Sequence, residues 1–291
     1  MWQRRDNLAG YGFLALPLIG FCLVVLVPTI LVVWYSFNRF DLLTGEMTFL
    51  AGENYQRLFQ DETFLRVMRN TAVFTVGVVP LQMVGGLALA VLINRRYPAI
   101  AFIRSVLFLP TLITLTAWSI VWEFLLQADG GVNGLLSIFG ISGANWLQDD
   151  GWAMFWLVIV QALKNLGVTM VLFLAGLQGV PSELYEAAQV DGASPWRVFR
   201  RVTLPLIAPF SFLILIHATV SSLKTFELIQ LMTGGGPGDA TSVLVYYVYF
   251  VGFRLFEQGY ASAIAIILFI ITLLITIAQF WLRKRWVYGE V

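Results

Sequence analysis

Apolar residues run in long blocks along the chain, and six blocks are long enough to cross a bilayer. They cover approximately residues 11–35, 71–94, 103–126, 152–177, 206–225 and 261–282, each flanked by polar, glycine-rich or proline-rich sequence. A hydrocarbon core is spanned by about 20 helical residues. Because no water satisfies the backbone there, each block is expected to bond within itself as a helix. A seventh run, residues 243–253, has about half the span length and reads as an interfacial or partly buried helix. Its Tyr246, Tyr247 and Tyr249 suit a membrane–water boundary. The expected fold is an all-α membrane protein, a single transmembrane domain over residues 1–291 with six transmembrane helices.

Composition agrees: 59% of the 291 residues are hydrophobic and 12% charged, with a mean hydropathy of +0.80. A soluble domain of this length does not need so much apolar side chain. The net charge of +1 points to no acidic partner, nucleic acid included, so only the placement of charge is informative. The single Cys22 excludes an internal disulfide and a cysteine metal site, and reads as a small buried apolar residue. Arg4 and Arg5 precede the first block as in an export signal, but a block from about Tyr11 to Tyr35 is too long for one and reads as a retained first helix.

With the N-terminus inside, Arg4, Arg5, Arg95, Arg96, Arg104, Arg197, Arg200, Arg201, Arg283, Lys284 and Arg285 all fall on the cytoplasmic side. Only Arg39, Arg57, Arg66, Arg69 and Arg254 fall outside, so the positive-inside rule places both termini in the cytoplasm. The outer loop 36–70 holds a mixed segment, 53–69, that suits a helix along the outer surface. The outer loop 127–151, with Gly130, Gly131, Gly134, Gly140 and Gly143, reads as an irregular connection.

The longest inner connection, residues 179–205, has the chemistry of a short docking helix. Ser182 is placed to cap it, Glu183 and Glu186 favour its positive end, and Leu184, Ala187 and Ala188 give it a small apolar face. Gly192 can end it in a left-handed conformation, and Ser194-Pro195 can start a second helix. Glu186-Ala187-Ala188, then Gly192, then Val202 and Leu204-Pro205, resemble the EAA loop of ATP-binding cassette (ABC) importer permeases. Val202 stands where the family usually has isoleucine. The sequences 226–241, with its Gly234-Gly235-Gly236-Pro237-Gly238, and 259–263 are similar to carbohydrate permeases of the maltose and glycerol-3-phosphate type.

The resemblance implies a type I ABC importer transmembrane domain in a bacterial or archaeal plasma (inner) membrane. Its coupling loop sits in a cleft of an ATPase subunit, through Glu186, Ala187, Ala188, Asp191 and Gly192. It implies a second homologous permease, two ATPase subunits and an extracytoplasmic sugar-binding protein as partners. No Gly-Lys-Ser/Thr follows the glycine-rich 234–238 segment, which reads as an outer turn, and no other phosphate-binding loop occurs. ATP and Mg are therefore expected on partner subunits, with no cofactor or metal on this chain, which is a transport subunit and not itself an enzyme.

Ionisable groups within spans are costly and mark a pore or a partner. Glu123, Lys224 and Glu227 lie near span ends, where they read as structural or reach the interface. Lys164 and Asn165 lie mid-span, and the aligned region contributes to the sugar site of related permeases. Sugars need paired donors and acceptors and an aromatic cover, so Trp118, Trp122, Lys164, Asn165 and Thr169 are the candidate substrate path. His217 stands without a metal or triad cluster and reads as an interhelical hydrogen-bond partner. The rival reading is an ion-coupled secondary carrier, which gives no physical reason for a docking helix. A membrane enzyme lacks a catalytic constellation.

Overall fold

The computed structural model describes residues 13–40, 45–94, 99–141 and 143–287. Arg4, Arg5, Arg95 and Arg96, which entered the charge count, lie outside the described residues, as do the side chains of Lys284 and Arg285. The chain is mostly helical and divides into two compact units, Met1–Glu62 with Tyr247–Ile270, and Thr63–Tyr246 with Ile271–Val291.

In the first unit, helix α1 (Phe13–Ser36) contains a wider turn at Cys22–Leu26. Nearly all its side chains are exposed, Cys22 among them. Burial of Cys22, expected from its apolar surroundings, does not occur: the helix is apolar and packs on little among the described residues. A short hairpin of β1 (Asn38–Phe40) and β2 (Met47–Phe49) follows. It leads to α2 (Glu53–Gln60), which is shorter than the 53–69 segment foreseen. Asn54 pins α2 by donating to the carbonyls of Ser36 and Asn38. At its far end Arg57 pairs with Glu257 at 2.5 Å and lies over the Tyr260 ring. Asp61 Oδ2 accepts from Tyr247 and Tyr260 at 2.9 and 2.6 Å.

The second unit is organised around α7 (Ala153–Gln178), the most buried long helix. Its first half joins Phe74, Val78, Leu228, Ile229 and Met232 in one apolar cluster. Its second half joins Ala90, Ile93, Ile207 and Ile214 in another. Small residues set how closely α3 (Glu62–Ile93) approaches α7. A methyl group on Gly86 would meet Thr169 Cγ2 at 2.5 Å, and one on Gly77 would meet Val158 Cγ1 at 2.8 Å.

One expected span, 103–126, is broken within its length, and the 206–225 run starts at a bend with the segment before it. The run 103–126 is not one helix: α4 (Ile100–Leu112) and α5 (Leu115–Leu125) meet at 96°. Pro110 supplies no backbone donor, Ile113 is extended, and the Thr114 side chain caps α5 by accepting from the Ala117 N–H. Likewise α9 (Pro195–Leu206) and α10 (Ala208–Leu223) meet at 68°. The unbroken helices α1, α3, α7 and α13 (Gln258–Val287) supply four stretches long and apolar enough to cross a membrane, or six if each bent pair is one span.

The glycine-rich connection between α5 and α7 contains a helix, α6 (Gly131–Ile138), which the glycine count concealed. Asn133, buried, ties it down: its amide donates to the carbonyls of Gln127, Ala128 and Ala144, and its Oδ1 accepts from Trp146 Nε1 at 2.6 Å. The 243–253 run forms α12 (Leu244–Arg254), but Tyr246 and Tyr247 are buried. Their hydroxyls bond inward, Tyr246 to the Gly234 carbonyl and Tyr247 to Asp61, so neither lies at a solvent boundary.

Candidate functional site

The docking segment forms as a helix, α8 (Ser182–Val190), and none of its residues is buried. Pro181, not Ser182, occupies the capping position, and no side chain caps the helix. Its end is closed by backbone hydrogen bonds. Gly192 has φ +69, its N–H bonds to the Gln189 carbonyl, and the Ala193 N–H reaches back to Ala188. This paired closure requires a left-handed residue, which only glycine adopts without strain. Behind the helix Tyr185 Oη and Thr203 Oγ1 lie 3.3 Å apart, tying α8 to α9. Glu186, Ala187, Asp191 and Gly192 are exposed and Ala188 is half-buried. The segment is thus a small preformed projection with an acidic group, two alanines and a rigid reversal.

The expected substrate residues fare unequally. Lys164 Nζ donates to the carbonyls of Pro110 and Ile113 at 2.7 Å and of Thr111 at 3.3 Å, so its three donors are spent on the broken end of α4. Gly167, on the same face of α7, permits this: a methyl group there would lie 2.9 Å from the Leu107 carbonyl oxygen. Thr169 is buried against Gly86, with its hydroxyl on the Asn165 carbonyl. Trp118 donates to the Val160 carbonyl at 3.1 Å and stacks edge-on with Trp122, both packed on the first apolar cluster. Asn165 is half-buried and its side chain has no hydrogen bond among the described residues.

The structure brings another set together at the α4–α5 break. Thr114 and Thr116 are exposed there, and Thr116 Oγ1 donates to Glu227 Oε1 at 2.7 Å. Glu227 opens α11 (Glu227–Met232), and both it and the neighbouring Lys224 are exposed. Sequence reading placed Glu227 and Lys224 at span ends. It missed the threonines, whose one signal is Thr114, a capping residue set between two apolar runs. Further along the same unit, a cavity of about 490 Å³ is lined by polar residues, among them Glu123, Gln127, Asp129, Asn145 and Gln148, and by apolar ones such as Leu147 and Met232. Among the described residues no cluster of three His, Cys, Asp or Glu forms a metal site.

Residues 65–288 match the family described as binding-protein-dependent transport system inner membrane component. The chain is 34% identical to the probable ABC transporter permease protein YesP of Bacillus subtilis, over 99% of this chain and 94% of that protein. It is also 34% identical to the trehalose/maltose transport system permease protein MalF of Thermococcus litoralis, covering 94% of this chain and 93% of that protein. Its fold superposes with a TM-score of 0.84 on a chain of a bacterial alginate ABC transporter. That transporter was solved with an alginate pentasaccharide-bound periplasmic protein, and the match is 25% identical over 98% of this chain and 97% of that one. The broken spans, the exposed α8 and these matches agree: the chain belongs to the binding-protein-dependent ABC transport permeases, as a membrane-spanning type I importer subunit.

Proposed function

We propose that this permease forms half of the translocation path of an ATP-driven sugar importer and takes its power stroke through α8. The observation that carries the reading is α8 itself. A nine-residue helix with no buried side chain, closed by a rigid glycine turn and braced from behind, gains no core burial of its own. It is built to seat in another protein. Glu186, Ala187, Ala188, Asp191 and Gly192 make that contact with one of two ATPase subunits, which carry ATP and Mg.

The sugar assignment is supported by one relative, a trehalose/maltose transport system permease, and by the alginate transporter of similar fold. A second homologous permease supplies the other half of the path, and an extracytoplasmic binding protein delivers the sugar and sets its identity. Both termini lie on the cytoplasmic side of a bacterial or archaeal inner membrane. Within the path, Asn165, Thr114, Thr116, Lys224 and Glu227 offer exchangeable hydrogen bonds to hydroxyls. Lys164, Thr169, Trp118 and Trp122 hold the shape of the broken helix around them. ATP binding closes the ATPase pair, α8 moves with it, and the path turns outward; hydrolysis resets it.

The test is uptake in native membrane vesicles together with mild-detergent purification of the tagged chain. ATP-dependent sugar uptake, with a second permease and an ATPase subunit co-purifying, is the expected result. Uptake that ignores ATP and collapses with the ion gradient would establish the secondary carrier instead.

A further inference from the structure

Helix α9 leaves a charged face that coupling through α8 does not use. Arg197, Arg200 and Arg201 fall at positions i, i+3 and i+4, so their guanidiniums share one side of the helix, and all three are exposed. The opposite side is the packed one, with Thr203 buried, Val198, Phe199 and Val202 half-buried, and Thr203 beside Tyr185 of α8. The arginine face therefore points away from the element that seats in the ATPase subunit. Among the described residues none of the three arginines has a carboxylate partner. Trp196 flanks the face, 68% exposed, with its ring stacked on Phe199 at 5.6 Å.

The orientation of α9 identifies what faces this surface. It bends 68° from α10, the apolar helix that follows it. Taking α10 as the helix that crosses the bilayer, the 68° bend sets α9 nearer the membrane plane than its normal, where lipid headgroups would face it. Three arginines on one side of an in-plane helix, with an exposed tryptophan at their edge, match a negatively charged lipid surface in charge and polarity. Phosphate diesters accept paired N–H bonds from guanidinium, and the indole fits the boundary between headgroup and acyl chain.

We propose that Arg197, Arg200 and Arg201 with Trp196 form a binding site for anionic phospholipid headgroups, which anchors the hinge between α9 and α10 to the membrane. The inference goes beyond sugar import and rests only on membership of the membrane-spanning family. The intact transporter is reconstituted in nanodiscs containing either brominated phosphatidylglycerol or brominated phosphatidylcholine at equal mole fraction. Trp196 fluorescence is isolated as the difference from a Trp196→Phe complex. Brominated phosphatidylglycerol is expected to quench it about threefold or more strongly than phosphatidylcholine at low salt. A triple Arg→Gln variant removes the preference, and a triple Arg→Lys variant keeps most of it. Equal quenching by the two lipids, a preference that survives Arg→Gln, or no quenching by either lipid would overturn the site. The last result would mean that protein covers this face.

Discussion

Lys164 illustrates how a residue can be located by sequence while its partners stay hidden. An ammonium in the middle of an apolar run is unusual enough to mark, and the expectation was contact with substrate. Its three donors instead close the carbonyl end of α4, an end that exists only because α4 and α5 part at residues 113 and 114. Nothing in the local sequence pairs residue 164 with residues 110–113, because that pairing depends on the close approach at Gly167. Lys164→Met is expected to destabilise the purified protein by about 2 kcal/mol, since three part-buried carbonyls lose a charged donor. Thermal unfolding in detergent reads this, and a variant of unchanged stability with only a raised KM for uptake would restore Lys164 to the substrate path. Asn133 is the corresponding residue in the glycine-rich connection. Asn133→Ala leaves Trp146 Nε1 and three carbonyls without their partner. It is expected to cost about 2–4 kcal/mol in the same assay.

At the scale of elements, long apolar runs located the four unbroken helices long and apolar enough to cross a membrane, because burial in lipid imposes an unbroken apolar composition. It did not reveal the breaks. A bend within an apolar run changes hydropathy hardly at all, so its marks are single residues: Pro110 and Thr114 between α4 and α5, and the 206–208 junction between α9 and α10. The EAA segment was more legible, since capping and glycine chemistry are local. Gly192 adopts the left-handed conformation foreseen for it, whereas Ser182 yields the cap position to Pro181. Helix packing was not legible at all, because a glycine in a span does not announce its neighbour. The contact of Gly86 with Thr169 predicts that Gly86→Val forces α3 and α7 apart. The expected outcome is a sharp fall in the yield of monodisperse protein, with Gly20→Val, where a methyl group meets nothing, behaving as wild type.

At the scale of the whole molecule, the family is secure and the central claim is mechanical: a separate ATPase moves this permease through α8. Sequence alone carried that claim by resemblance, and the structure adds its physical basis, a helix without a core of its own held rigidly at both its turn and its back. The proposed substrate path was less legible, because the residues assigned to it are brought together by a helix break and by chain segments about a hundred residues apart, as Thr116 and Glu227 are. The most direct measurement is sugar uptake alongside ATP hydrolysis in proteoliposomes containing the complete transporter with Glu186→Ala or Gly192→Pro. Proline cannot take the positive φ of residue 192. Both variants are predicted to insert and assemble in the membrane, yet to lose about tenfold or more of the uptake obtained per ATP hydrolysed. Wild-type uptake and wild-type coupling in both would contradict the account.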